Sequence, residues 1–356
     1  MEEDGSDWPN RMHSNRPHLR RPFLIALLLV SLITGACSLY GQNPPPMTLH
    51  AYANLLQMPV LVLSPSLQPL PLISASKFAV SLDAGPKFHP AHVRLEGEDP
   101  IALSILLDVG GSDAQLMPDI DDVIAGLSPT FLRQVDHVSI YALDCTLTRS
   151  LYNVPADSTK LKDGVDAALR LWNSRGRRKQ AHCKKAVHLW DALAVMTETL
   201  SSLPGRRVIL AVTGGPVQGS SNTWNDLRRF AAASAVAIFG MTPHELLPNP
   251  EDALDLVCGL TGGVVLTTDK RKIRRDLQRF TDMLRGRYIL EFPRTDNAPA
   301  GLHGIDVTIA NSNAVIRSTG ISVPITDPRI LADPTTVPSD PSHAPQLGKR
   351  RILTPE

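Results

Sequence analysis

The feature that most constrains this chain is the order of its apolar runs between residues 101 and 286. "IALSILLD" at 101–108 is apolar apart from one serine until it meets Asp108. A strand buried on both faces of a sheet reads this way, because neither face meets water. "MPDIDDVIAGL" then carries Ile120, Val123, Ile124 and Leu127 at helical spacing, and "HVSIYALD" returns to the strand pattern. "STKLKDGVDAALRLW" sets Leu161, Val165, Ala168, Leu169 and Trp172 on one helix face, and "VHLWDALAVMTETL" predicts another helix. The series continues with "RRVILAVTGG" as strand, "TWNDLRRFAAAS" as helix, "AVAIFGM" as strand and "PEDALDLVCGLTGG" as helix. It closes with "VVLTT" as strand and the long amphipathic "DKRKIRRDLQRFTDMLRG". Such alternation predicts an α/β fold with a mostly parallel sheet flanked by helices. Sheets of this kind place their sites beyond the carboxyl ends of their strands. Asp108 and Thr213 both end strands.

The flanks read differently. "MPVLVLS" and "KFAVSLD" before the series, and "RYILEFP", "GIDVTIA" and "AVIRSTGISV" after it, look like strands broken by turn residues. They predict one small β accessory module built from segments 48–98 and 287–326, around a central domain at 99–286. Residues 42–47, "QNPPPM", read as a linker, and residues 327–356 as a disordered Pro-rich tail.

Residues 1–41 carry Arg20 and Arg21, an apolar run from Phe23 to Ile33, and the small residues Thr34, Gly35 and Ala36. This is the pattern of a secretory signal. An uncleaved anchor through residues 23–40 and a lipoprotein site at Cys37 are the alternatives. Each predicts export to the periplasm, cell envelope or exterior. Cleavage near 40 would leave Cys145, Cys183 and Cys258, enough for one bridge and one free thiol. Cys258 sits in an apolar helix and reads as buried. Cys145 and Cys183, both at element ends, are the favoured pair.

Thirty-six Lys and Arg against 35 Asp and Glu leave a formal charge of +1, which argues against a general nucleic-acid binder. The chain has no G-x-G-x-x-G, G-K-[ST], G-x-S-x-G, H-E-x-x-H or C-x-x-C, so nucleotide, hydrolase and zinc chemistry have no motif here. His188 lies three residues before Asp191 and could pair with it, but no activated serine accompanies them. The expectation is a protein that is not an enzyme.

In its order of segments the chain resembles a von Willebrand factor type A (VWA) domain, and more narrowly the exported VWFA-related proteins of acidobacteria. "ILLDVGGSDAQ" stands where the family has a strand ending D-x-S-x-S, "LWDALAVMTETL" where it has the helix after its metal-binding threonine, and "RRVILAVTGGPVQGSSN" where it has T-D-G. "LRGRYILEF" and "LHGIDVTIANSNAVIRSTG" resemble the closing segments, and "KFAVSLDAGPKFHPAHVRL" the β segment before the first VWA strand. The likeness covers about residues 49–324 and implies a Rossmann-like VWA fold.

It also implies a Mg²⁺ or Mn²⁺ site of five side chains from three loops, with one position open to a partner's carboxylate. A hard dication wants such oxygen ligands in octahedral array. Here Asp108 matches the first aspartate and Ser112 the second serine, and Thr213 supplies a neutral oxygen. Gly110 replaces the first serine, Val187 stands at the threonine, and Gly214 replaces the aspartate of T-D-G. Neighbouring Asp113 is expected to point elsewhere. The resemblance therefore implies a degenerate metal site and no bound cofactor. The segment "NSRGRRKQAHCKKAVH" carries Arg175, Arg177, Arg178, Lys179, Lys184 and Lys185 without an acid. By the family's topology it lies beside that site, where cations would oppose a metal and attract an acidic partner. A solvated loop is the plainer reading of the same residues. The leading expectation is an exported adhesion-type module binding a protein or acidic ligand at the sheet's carboxyl edge. The rival is a structural part of a cell-envelope complex.

Overall fold

The computed structural model describes residues 52–349 apart from 54, 98, 111–115, 118–119, 176–186, 215–218, 244–252, 294–300, 319–320, 324–335 and 338–344. The predicted leader, anchor and linker lie outside this range. The chain opens with β1 (Tyr52–Ala53), β2 (Leu55–Leu63), β3 (Phe78–Leu82) and β4 (His92–Leu95). The central series is β5 (Ile101–Asp108), α1 (Ile120–Ala125), β6 (His137–Leu143), β7 (Leu147–Pro155), α2 (Ser158–Arg175), α3 (Leu189–Ser201), β8 (Arg206–Val212), α4 (Trp224–Ala233), β9 (Val236–Thr242), α5 (Leu254–Leu260), β10 (Val265–Thr267) and α6 (Ile273–Arg285). The described residues close with β11 (Tyr288–Pro293), β12 (Gly301–His303), β13 (Ile305–Ile309), β14 (Val315–Ser318), the short β15 (Ile321–Val323) and β16 (Thr336–Val337).

The central sheet runs β10-β9-β8-β5-β6-β7, parallel except for β7 against β6. Counted from β5 this is the doubly wound order 3-2-1-4-5-6. Its point of reversal falls between β5 and β8. Every residue of β5 up to Leu107 is buried, and alternate side chains enter two cores. Leu103, Ile105 and Leu107 meet α1, α2 and α6 on one face. Leu106 meets α3, α4 and α5 on the other. Burying a side chain of this kind stabilises by about 1.5–3 kcal/mol, so the continuous apolar run commits β5 to the middle of the sheet.

Both flanks share a second, antiparallel sheet, β14-β2-β11-β4, and β3 pairs with β13. Met58, Val60, Phe78, Val80, Tyr288, Leu290 and Phe292 form its core. The segment expected to be disordered from 327 differs in part. β16 pairs with β1, Leu347 bridges Leu82, and the Gly348 amide donates to the Leu82 carbonyl at 3.0 Å. A Cβ on Gly348 would stand 2.1 Å from the Asp83 carbonyl oxygen, so only glycine allows this approach. Composition signals disorder through a shortage of apolar residues, but one leucine with a core to enter was enough to dock this stretch.

The β sheet joins the central domain at the amino edge of the latter's strands. Glu96 is 1% exposed and pairs with both Arg206 and Arg287. Arg206 also reaches Asp99 at 3.3 Å, and Arg94 reaches it at 2.9 Å. Fully buried Asp136 accepts from the amides of Ile101 at 3.0 Å and Arg133 at 2.7 Å, and pairs with Arg285. Burial first, then the guanidinium groups of Arg287, Arg94 and Arg285, push Arg206 below its ordinary value. A guanidinium nevertheless stays charged in proteins, so Glu96 is its necessary counterion.

Candidate functional site

The carboxyl edge is built from the loops after β5, β6 and β8 and the turn entering α3. Asp108 ends β5 and Thr213 follows β8, which sets them on either side of the reversal point. The Thr213 hydroxyl donates to Asp108 Oδ2 at 2.8 Å, and the Gly110 amide donates to Oδ1 at 3.3 Å. Thr213 is 2% exposed, and its own amide donates to the Met241 carbonyl at 3.1 Å. The loop beyond Asp108 folds over the end of β6, with the amides of Val109 and Gly110 donating to the Leu143 carbonyl at 2.8 and 3.1 Å. A Cβ on Gly110 would meet Asp144 Cα and Oδ1 at 3.1 Å each. A serine at this position would be tight against Asp144, which would have to give by a few tenths of an ångström.

The third loop is held by backbone. The Val187 amide donates to the Cys145 carbonyl at 3.0 Å, tying the entry of α3 to the turn between β6 and β7. Asp191, in the first turn of α3, accepts from the amides of Ser221 and Asn222, each at 2.9 Å, and from Asn222 Nδ2 at 2.8 Å. Burial raises this carboxyl, but the Ser221 and Asn222 hydrogen bonds outweigh it, with the charge of His188 adding, and leave it lowered. His188 does not hydrogen-bond Asp191. Its ring lies against Gly219 (φ +118°), where a Cβ would stand 2.6 Å from Nε2. Ser220 Oγ is buried without a hydrogen-bond partner among the described residues. Asp191 acts as a clamp on the loop between β8 and α4.

Of the predicted site residues, the structure brings Asp108 and Thr213 together. Arg175 closes α2, while Ser112, Arg177, Arg178, Lys179, Lys184 and Lys185 lie outside the described residues. Val187 is apolar and Gly214 has no side chain. Among the described residues, no group of three or more His, Cys, Asp or Glu side chains stands where it could hold a metal ion. The described residues at this junction do not by themselves supply the octahedral oxygen set that Mg²⁺ or Mn²⁺ wants. Sequence reasoning missed Asp144 and the clamp at Asp191. The repeat of "LLD" as "ALD" at the end of β6 was a signal for the first. Nothing local signalled the second.

Cys145 is disulfide-bonded, to a partner outside the described residues. Cys258 is free and fully buried in α5, and burial, then Asp255, pushes its thiol far up. No described helix is long and apolar enough to cross a membrane.

No protein-family profile and no curated protein matches the chain. Similar solved structures include proximal thread matrix protein 1 from the mussel byssus with a zinc-occupied MIDAS motif, at 12% identity over 53% of this chain and 49% of that one, TM-score 0.40. Others are BatB from Bacteroides thetaiotaomicron, at 15% over 51% and 98%, TM-score 0.34, and manganese-loaded TRAP from Plasmodium vivax, at 12% over 65% and 96%, TM-score 0.37. The chain spans about half the length of the byssal protein. At such identities likeness concerns the fold, and the α/β assignment here rests on the strand order itself.

Proposed function

We propose that this chain is an exported, non-enzymatic interaction module of VWA type that holds a protein or acidic ligand at the carboxyl edge of its sheet without a metal ion. The observation that carries this reading is the closed pair at the reversal point. Asp108, the carboxylate a metal would need, is engaged by Thr213 and Gly110. Arg175, Arg177, Arg178, Lys179, Lys184 and Lys185 would supply the attraction in place of a metal. The disulfide at Cys145 supports an oxidising compartment, in keeping with export.

Calorimetric titration of the full chain with Mg²⁺ and Mn²⁺, with Asp108→Ala as control, tests the metal-free reading. No heat in either protein is expected, and binding that the control abolishes would overturn it. Charge reversal at Arg177, Arg178 and Lys179 is expected to lower affinity for an acidic peptide with folding intact.

The rival reading, a structural part of a cell-envelope assembly, draws support from one layer of helices. Val195 on α3, Phe230 on α4, and Leu256 and Leu260 on α5 are each 39–48% exposed. These four side chains are the apolar surface that such an assembly would use. A top face insensitive to every charge reversal, with self-association lost in Phe230→Asp, would favour this second reading.

A further inference from the structure

The turn into α6 breaks a rule of helix electrostatics. The amino end of a helix carries about half a positive charge, so cations there are unfavourable and acids favourable. Yet Lys270, Arg271, Lys272, Arg274 and Arg275 crowd this end, all exposed, around the buried Ile273. Asp269 offsets a fraction of that charge. It accepts from the amides of Arg271 at 2.8 Å and Lys272 at 3.0 Å, and pairs with Lys272 Nζ at 2.9 Å. Arg275 reaches only buried Asp276, at 3.4 Å, and remains 70% exposed. The side chains of Arg271 and Arg274 have no hydrogen bond or ion pair among the described residues. Sites that break a local rule without a folding gain are where function is to be sought.

A cavity of about 400 Å³ continues the strip along the helix, lined by Gln68, Pro69, Arg275, Gln278, Arg279 and Asp282. Its volume falls in the range of about 300–1,000 Å³ usual for small-ligand sites. Arg279 is committed to its wall, donating to the Ser66 carbonyl at 2.8 Å and the Leu67 carbonyl at 3.0 Å. That leaves Arg275 as the cation at the mouth and Gln278 as a neutral amide beside it. Asp282 adds one acid to this lining.

We propose that this strip and cavity bind an acidic polysaccharide, with its carboxylate or sulfate groups on Arg271, Arg274 and Arg275 and a sugar ring seated against Gln278. Arg271 lies in the turn before α6, and Arg274 and Arg275 lie in its first turn, about one helical turn (~5.4 Å) before Gln278, so the cations and the amide follow one another along one stretch of chain. An amide-lined cavity suits sugar hydroxyls. A membrane surface fits less well, because none of the exposed large apolar side chains of the described residues lies on α6. The site is separate from the carboxyl-edge pair and does not depend on the metal-free reading.

The test uses the full chain and a decamer of polygalacturonate, with dextran as the neutral control. Vesicles of equal phosphatidylglycerol and phosphatidylcholine, and a DNA duplex, are the rival polyanions. Expected results are salt-sensitive binding of the uronate and none of dextran, at least a tenfold loss in Arg271→Glu/Arg274→Glu, and a severalfold loss in Gln278→Ala. The charge-reversed protein should also melt higher than the parent, because acids replace cations at the helix's amino end. Loss of ligand with gain of stability is a combination that damage to the fold cannot produce. Undetectable uronate binding, affinity unchanged by charge reversal, or vesicles or DNA bound as tightly as the uronate with no effect of Gln278→Ala would overturn the proposal.

Discussion

The two edges of the central sheet use acidic residues in opposite ways. At the amino edge Glu96 and Asp136 are buried, Glu96 paired with Arg206 and Arg287, and Asp136 with Arg285 and two backbone amides. At the carboxyl edge Asp108 is half-buried and accepts from the Thr213 hydroxyl and the Gly110 amide, while Asp191, also half-buried, binds a loop. The difference concerns what each arrangement can release. Removing one partner from a buried pair strands the other charge, whereas a half-buried carboxylate can exchange its donors for water or a ligand. Stability is concentrated at the edge where the β sheet joins, and adaptability where ligands would arrive.

The sharpest way to break this contrast is Glu96→Gln. It leaves Arg206 and Arg287 without their shared counterion and should lower stability by about 3–5 kcal/mol in chemical denaturation. A loss under 1 kcal/mol would mean that Asp99 or water compensates, and the two edges would be more alike than described. Asp191→Ala should cost less, about 2 kcal/mol, through the charge-assisted bonds to Ser221 and Asn222. Hydrogen exchange at those two amides should rise with it. The pH dependence has a definite sign. The folded carboxyl lies below its ordinary 3.8, so its contribution is complete above that value and vanishes as pH falls through the lowered one. The gap between Asp191→Ala and the parent should therefore stay constant from neutral pH down to about 5 and close in stronger acid. The smallest effect belongs to Thr213→Val, about 1 kcal/mol, because Asp108 can take a water in place of the lost hydroxyl. A loss as large as that of Glu96→Gln would show the carboxyl edge to be equally rigid.

Much of the architecture was legible before any coordinates. The apolar run of β5, the spacing of Leu161, Val165 and Ala168 on α2, and the change to antiparallel patterns on both flanks all depend on neighbours close in sequence. So did the placing of Asp108 and Thr213 at strand ends. The docking of Leu347 was not legible, because a lone apolar residue in a polar tail carries no period. The crowding at Gly110 was hidden too: it comes from Asp144, just past the end of β6.

By itself the sequence determined most of the central strands and helices (though not β7), the faces they bury, and that an acid would close the first strand of the sheet. Only the tertiary structure decided who meets that acid. Asp108 and Thr213 are 105 residues apart, Glu96 and Arg287 are 191 apart, and Asp191 reaches a loop 30 residues on. Such partners are chosen by strand order and register, which bring distant chain segments to one edge. Periodicity encodes the face a residue occupies, and carries no information about what lies across from it.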